Sequence, residues 1–318
     1  MSTHRSRIHP NYKTCYRVTN WPEYDRGLVQ RGSLTFWIAP EALDAWKPAP
    51  SGKRGGQRRY SDFAIRTAHV LRLRFGLTLR ETEGFVRSLF ELMGLELEVP
   101  DHTTLSRRLR ELDIPLPAKA RRAPLHLVLD STGLSIFGEG QWAQAKHGKR
   151  GKRGSRKLHL GVSDSGETLA QVVTDASVDD ALVGVRIVDH VQGELASVTA
   201  DGAYDTHEFY DAARTRKADV IVPPISSAIP DERKRPRNPE RDAAVRLVEA
   251  IGRREWKRTS GYGRQGAAEN AFFRFKTIVG PALRSRDEDN RQAEARLGCV
   301  MLNRMREIAW PESVAIPA

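Results

Sequence analysis

The 318-residue sequence is poor in cysteine and contains no long hydrophobic run. Its two cysteines, Cys15 and Cys299, cannot build a disulfide framework and cannot fill a four-ligand zinc site by themselves. No apolar stretch approaches the roughly 18 residues that cross a bilayer, and Met1–Lys13 lacks the apolar core of a signal peptide. These absences predict a protein of a reducing compartment without membrane contact, and we expect a cytoplasmic location.

Positive charge is what the sequence has in excess. It contains 52 Lys and Arg against 40 Asp and Glu, which gives a formal net charge of +12. Such a balance favours a polyanionic partner, with nucleic acid ahead of a membrane surface. The hydrophobic fraction of 39%, with six Trp, indicates a folded chain rather than a disordered one.

Three regions differ in composition and periodicity. Residues 1–59 form an aromatic and basic arm that ends in a Gly- and Arg-rich linker, Ser51–Arg59. Residues 60–117 have helical periodicity and are predicted to be a DNA-binding region. Residues 118–318 change to strand-like runs and are predicted to form a catalytic α/β domain.

The helical region contains a possible helix-turn-helix. One apolar helical face stops near Gly94, and Asp101 is a plausible N-cap for a second helix through about Leu112. The free face of that helix, expected to read DNA, carries Thr103, Ser106, Arg107 and Arg110. A surface helical pair with solvated arginines explains the same spacing equally well.

The third region has the element order of a ribonuclease-H-like domain. The predicted strands are Leu125–Asp130, Arg156–Val162, Thr168–Thr174, Leu195–Asp201 and Asp219–Val222, and the predicted helices are Asp180–His190, Thr206–Lys217 and about Gln292–Ala309. This order predicts a mixed five-stranded sheet flanked by helices. A small insertion at about residues 224–261 precedes the last helices.

Two acids end predicted buried strands, and a third lies on a predicted helix. Asp130 and Asp201 are the strand-ending acids, and a carboxylate in such a place is costly unless it is paired, hydrogen-bonded or metal-bound. Glu269 shares a helix face with Lys276, two turns later. For any one acid alone, a loop cap or a salt bridge is the simpler explanation.

A strongly basic run lies between the first two predicted strands. Its seven cations are Lys146, Lys149, Arg150, Lys152, Arg153, Arg156 and Lys157. Most basic runs are solvated, but in a protein that acts on DNA we expect this loop to contact phosphates.

Taken together, these motifs resemble a DDE transposase of the bacterial insertion sequence five family, within the wider group similar to insertion sequence four. The resemblance extends from about Asn20 to Trp310 and rests on Asn20–Tyr24, Asp101–Arg108, Leu127–Gly133, Arg156–Val162, Asp201–Asp205 and Tyr262–Lys276. The last segment is similar to the family's Y-(2)-R-(3)-E-(6)-K signature.

The resemblance implies a Mg²⁺-dependent enzyme that cleaves transposon ends and transfers the strand to target DNA. It implies two Mg²⁺, or Mn²⁺ as a substitute, held by the catalytic residues Asp130, Asp201 and Glu269. The residues that it implies for phosphate positioning are Tyr262, Arg264 and Lys276. It also implies double-stranded DNA as partner, a dimer in the DNA complex, no small-molecule substrate, and a location at the bacterial nucleoid.

One position departs from the signature. The spacing places an Arg at position 265, where this chain has Gln265, with Arg264 one residue earlier. Two alternatives therefore stand beside an active transposase. One is a catalytically weakened relative that acts as a sequence-specific DNA-binding protein, and the other is a metal-dependent nuclease that cuts without strand transfer.

Overall fold

A computed structural model of the chain describes residues 16–33, 44–50, 52, 54–116, 124–137 and 155–316. In those ranges, no helix is both long enough and apolar enough to cross a membrane.

The N-terminal region is tied to the C-terminal end of the chain. Strand β1 (Tyr16–Val18) pairs antiparallel with β8 (Ser313–Ala315), and helix α1 (Trp21–Gln30) follows β1. The Asn20 side chain donates to the Trp310 carbonyl at 2.9 Å and accepts from the Glu312 N–H at 2.8 Å. Part of the predicted arm is therefore regular structure, which the sequence pattern missed because its partners lie some 290 residues away.

Three helices form the second region, and each begins at a side-chain cap. Helix α2 (Asp62–Phe75) is capped by Ser61, α3 (Leu79–Leu92) by a capping box of Thr78 and Glu81, and α4 (His102–Arg108) by Asp101. The helix predicted through Leu112 ends at Arg108, because the chain tightens into the 3₁₀ turn Leu109–Glu111.

The connections between these helices are unequal in length. Residues 76–78 join α2 to α3, with Gly76 in the left-handed conformation at φ +68°, whereas residues 93–101 join α3 to α4. The second connection is longer than the three- to four-residue turn of a compact helix-turn-helix.

The central sheet has the strand order β4-β3-β2-β5-β6. Its strands are β2 (Leu125–Ile136), β3 (Ser155–Ser163), β4 (Thr168–Asp175), β5 (Leu195–Thr199) and β6 (Asp219–Ile221). Strand β3 runs antiparallel to both of its neighbours, β2 and β4, whereas β5 is parallel to β2 and β6 is parallel to β5. This mixed order confirms the ribonuclease-H-like prediction. A short strand, β7 (Ala282–Leu283), pairs with the far end of β2 and makes six strands where the sequence predicted five.

Helices cover both faces of the sheet. Helices α5 (Asp180–His190) and α6 (His207–Thr215) bury one face with Leu127 and Leu129. Helices α9 (Gly266–Ile278) and α10 (Glu288–Ile308) bury the other with Val128 and Leu160. Between β6 and α9, the predicted insertion contains α7 (Pro239–Ile251) and α8 (Arg253–Thr259).

The helical region packs directly on the second face. Residues of α2, α3 and α4 share one buried hydrophobic cluster with α9 and α10. Arg72 of α2 and Glu294 of α10 form a buried ion pair at 3.7 Å. Asn290 also donates to the Ser106 carbonyl at 3.1 Å, which joins the start of α10 to α4.

Candidate active site on the central sheet

Asp130 lies within strand β2 and not at its end. The sequence predicted a strand ending at this acid, but β2 continues for six residues because Ser131–Ser135 pair with β3. The polar Ser131-Thr132-Gly133 segment hides this continuation from a search for apolar runs. The half-buried Asp130 carboxylate accepts a hydrogen bond from the Ser131 N–H at 2.7 Å.

Asp201 lies two residues beyond the end of β5. Its carboxylate caps the 3₁₀ turn Gly202–Tyr204 by accepting from the Ala203 N–H at 2.9 Å. Val128 of β2 pairs with Thr199 of β5. Asp130 and Asp201 each lie two residues beyond this pair, on their own strands' continuation. Neighbouring strands lie about 4.8 Å apart, which brings the two acids side by side.

Glu269 reaches the site from α9, on the sheet face that Asp130 shares with Val128. Contacts with β2 fix this helix near both ends. Before it begins, Gln265 Nε2 donates to the Leu129 carbonyl at 3.2 Å, and near its end Lys276 Nζ donates to Thr132 Oγ1 at 2.7 Å. Glu269 lies exposed between these contacts, on the same side of the helix as Lys276.

The three acids share one electrostatic environment. The pKa of Asp130 is raised from 3.8 to about 6, first by burial and then by the charges of Asp201, Glu269 and Asp180, against the Ser131 hydrogen bond. The pKa of Tyr262 is also raised, first by burial and then by Asp201, Asp130 and Glu269. Tyr262 and the three predicted acids are therefore near enough for the acids' charges to affect the pKa values of Asp130 and Tyr262.

Gln265 and Arg264 have separate environments. Gln265 is 5% exposed, and its Oε1 is buried without a hydrogen-bond partner. Arg264 is half-buried against Gly261, where a Cβ would lie 2.5 Å from Arg264 Nη1. Gly261 also has φ +82°, and this left-handed backbone is the reason the turn favours glycine.

Asp180 is a neighbour of the site that sequence reasoning missed. Asp179 caps α5, which leaves Asp180 available to bind Lys157 Nζ at 3.0 Å. The other Asp180 oxygen lies 3.5 Å from His159 Nδ1, and burial lowers the pKa of His159 to about 4. The sequence signal was the consecutive pair Asp179-Asp180. A helix start needs only one acid as its cap, so the second acid calls for another explanation.

The remaining predicted DNA contacts lie elsewhere. Arg156 pairs with Asp175 at 3.2 Å and Lys157 with Asp180, so these two cations already have acidic partners. The other members of the basic run, Lys146, Lys149, Arg150, Lys152 and Arg153, lie outside the described residues. On α4 and its 3₁₀ turn, the exposed candidate base readers are Thr103, Ser106, Arg107 and Arg110.

The donor set suits a hard divalent cation. Asp130, Asp201 and Glu269 offer only carboxylate oxygens, the ligands that Mg²⁺ and Mn²⁺ prefer. Mutual repulsion among these acids contributes to the raised pKa of Asp130, and a bound cation would relieve it. Within the described residues, no group of three or more acidic, His or Cys side chains is already arranged to hold an ion, so binding requires the side chains to converge.

The strand order is that of a ribonuclease-H-like fold, and comparison with known proteins shows which family has it here. Two family models described as a transposase DDE domain match the chain, one over residues 29–139 and the other over residues 121–304. The protein therefore belongs to the DDE transposase family, whose members use divalent metal ions.

A solved structure is distantly similar. The chain matches the cryo-EM structure of a piggyBac transposase synaptic complex with hairpin DNA at 12% sequence identity. The match covers 92% of this chain and 76% of that one, with a TM-score of 0.41.

Proposed function

We propose that this transposase binds the terminal inverted repeats of an insertion sequence and catalyses metal-dependent end cleavage and strand transfer. The observation that supports the proposal is geometric: Asp130 and Asp201 lie on neighbouring strands in register, and the helix that carries Glu269 is bound to the Asp130 strand by Gln265 and Lys276. In a chain of the DDE family, three acids on two strands and a helix have the composition of a two-metal phosphoryl-transfer site.

Each site residue has a defined task in this proposal. Asp130, Asp201 and Glu269 would hold two Mg²⁺, or Mn²⁺ in its place, and the ions would supply Lewis-acid chemistry at the scissile phosphate. Lys276, oriented by Thr132, provides a positive charge for a phosphate beside Glu269. Tyr262 and Arg264 position neighbouring phosphates from the 3₁₀ turn that precedes α9.

The reaction consists of two in-line displacements at phosphorus. In cleavage, a water oxygen bonds to phosphorus and the bond to the 3′ oxygen breaks, which releases a 3′-OH. In strand transfer, that 3′ oxygen bonds to a target phosphorus while the target strand's own P–O bond breaks. Neither step forms a bond to the protein, so no Ser or Tyr nucleophile is required.

In this proposal, double-stranded DNA contacts the protein at several surfaces. The exposed residues of α4 read the terminal repeat, and the basic run 146–157 contacts phosphates. Because a transposition event joins two ends, we infer a dimer in the DNA complex.

The leading alternative is a weakened relative that only binds DNA, and it depends on Gln265. The contact of Gln265 with Leu129 supports a structural role for this residue, and the presence of all three acids favours the enzyme. A nuclease that does not transfer strands would have the same three acids but would not need to recognise transposon ends.

Cleavage of a plasmid that carries the gene with its native flanking DNA tests the proposal. We expect Mg²⁺-dependent cuts with 3′-OH ends at the inverted repeats, and joined products when target DNA is added. The variants Asp201→Asn and Glu269→Gln should bind the same DNA without cutting it. Binding without cleavage by the unmodified protein would support the alternative, and scattered cuts without joining would indicate a nuclease.

A further inference from the structure

A polar cleft lies beside α9, on the side of the helix away from the catalytic acids. It encloses about 210 Å³ between α9, the β3–β4 turn and Trp310. Its lining residues are Asp164, Ser165, Gly166, Gly263, Arg264, Ala267, Asn270, Ala271, Arg274 and Trp310.

The cleft and the acid cluster are separate but adjoin the same turn. At 100° per residue, Arg274 projects about 140° around α9 from Glu269, so the two side chains lie on different sides of the helix. The 3₁₀ turn Tyr262–Gln265 connects the two sites, because the charges of the acids raise the pKa of Tyr262 and Arg264 lines the cleft.

Arg274 is the strongest reason to expect an anion in this cleft. Its guanidinium makes one hydrogen bond in the described part of the chain, to the Leu302 carbonyl at 3.2 Å, and no ion pair there. The pKa of Arg274 is lowered to about 10, first by burial and then by the positive charges of Arg31 and Arg306, against an opposing effect of Tyr24. A partly desolvated cation with positive neighbours and no counter-ion is costly, and a bound anion would compensate for it.

Trp310 holds Arg274 at the cleft. The Arg274 Cζ lies 5.1 Å from the centroid of the Trp310 ring, and the Arg306 Cζ lies 4.9 Å from the same centroid. Arg306 donates to the Ser165 carbonyl at 2.9 Å and does not line the cleft. The two arginines therefore make comparable contacts with Trp310, but only Arg274 faces the cavity.

The rest of the lining offers hydrogen-bond donors and one opposing charge. Ser165 and Asn270 provide side-chain donors, and Arg264 provides a second guanidinium. At Gly166, with φ +84°, a Cβ would lie 3.2 Å from Trp310, so the turn packs closely against the ring. Asp164 also lines the cleft, which leaves two cations against one acid.

We propose that this cleft is a subsite for a phosphate of the DNA backbone, on a strand that crosses the 3₁₀ turn from the active site. The inference rests on the proposed function, because DNA is the ligand. It adds Arg274 to the DNA-contacting residues, outside the signature segment's own Tyr, Arg, Glu and Lys positions.

The variants Arg274→Gln and Arg306→Gln form a matched pair for the test. Each removes one positive charge and one contact with Trp310, so we expect similar losses of thermal stability. Duplex DNA binding is measured by fluorescence anisotropy over a range of salt concentrations. Arg274→Gln should lower the slope of log K against log salt by about 0.9, the value for one phosphate contact, whereas Arg306→Gln should leave the slope unchanged.

A second variant determines the sign of the ligand's charge. Asp164→Asn removes the one acid of the cleft and should strengthen duplex binding severalfold. Weaker binding by Asp164→Asn would mean that the cleft prefers a cation, and equal slopes for the two arginine variants would show that no phosphate binds there. Either result overturns the inference.

Inorganic phosphate distinguishes a DNA subsite from a site for the free anion. We expect millimolar phosphate to compete no better with duplex DNA in the unmodified protein than in Arg274→Gln. Saturable phosphate binding that Arg274→Gln abolishes, with an unchanged DNA salt slope, would reassign the cleft to the free anion. Failure of the unmodified protein to bind any duplex would overturn the proposed function as well, whereas normal binding that Arg274→Gln leaves unaltered would overturn the subsite alone.

Discussion

At the scale of single residues, Gln265 links the catalytic helix to the strand that carries Asp130. Its amide donates to Leu129, one residue before the acid, from a buried position. An arginine at this position would lose that hydrogen bond and would place a charged guanidinium where the side chain is buried. We therefore expect a locally adapted site, in which Arg264 provides the positive charge.

Restoring the signature residue should harm the protein. We expect Gln265→Arg to lower the free energy of unfolding by about 1–3 kcal/mol, because it removes the hydrogen bond to Leu129 and puts a larger, charged group in a buried position. Chemical denaturation measures the change, and the same substitution at the exposed Gln192 is the control, which should change little. A Gln265→Arg variant of normal stability with faster DNA cleavage would show instead that Gln265 weakens catalysis.

At the scale of elements, the contact between α2 and α4 depends on a neutral histidine. His69 Nε2 donates to the Leu105 carbonyl at 3.1 Å in a fully buried position. The pKa of His69 is lowered from 6.5 to about 3, first by burial and then by the nearby Arg72 charge, against the Leu105 hydrogen bond. The helical region should therefore lose stability as the pH falls.

The sign of this pH dependence follows from the two pKa values. Below pH 6.5 the unfolded chain takes up a proton at His69, whereas the folded chain resists it until about pH 3. Stability should thus fall by up to about 1.4 kcal/mol per pH unit as pH decreases from about 6 to 4. His69→Gln should reduce this slope in denaturation curves, while His190→Gln, at an exposed position, should not. Equal slopes in all three proteins would contradict the assignment.

We also expect α4 to recognise the base sequence of the terminal repeat. Arg107 is exposed on α4, so Arg107→Ala should cost about 1–3 kcal/mol at one base position of the terminal repeat. Binding to a panel of single-base variants measures this loss. The exposed Arg87 of α3, already paired with Glu83, is the control, and its replacement should affect all sequences alike. A uniform loss for Arg107→Ala would remove α4 as the reader.

The sequence predicted the central sheet and the three acids because both depend on local patterns and on motifs of recognisable spacing. It missed the continuation of β2 beyond Asp130, where polar residues extend a strand that only pairing with β3 reveals. It also missed β7, β1 and β8, whose two or three residues are set by distant partners. The roles of Asp180 and Arg274 depend on side chains from several elements meeting in space, which one sequence does not show.

At the scale of the whole molecule, a positively charged protein has its helical region packed on its catalytic domain. The shared hydrophobic cluster and the buried Arg72–Glu294 pair hold the helical region against α10. End recognition by α4 and phosphoryl transfer on the sheet would then occur at a set spacing along DNA.

The basic run should dominate the dependence of DNA binding on salt. Replacing Lys146, Lys149, Arg150 and Lys152 by Gln should flatten the slope of log K against log salt by up to about 3 to 4 units. Specific and random DNA should lose affinity together, since phosphate contacts carry no sequence information. The control with the same loss of charge replaces four exposed cations, Lys217, Lys234, Arg235 and Arg254. An unchanged slope for the first variant would mean that the run only faces solvent.

The most direct test of the central claim, that Asp130, Asp201 and Glu269 form one metal site, is Mn²⁺ binding measured by electron paramagnetic resonance with DNA present. We expect two bound ions per chain in the unmodified protein. Asp130→Asn, Asp201→Asn and Glu269→Gln should each lose at least one ion, whereas Asp180→Asn, beside the site but paired with Lys157, should retain both. Full Mn²⁺ binding by any of the first three variants would contradict the claim.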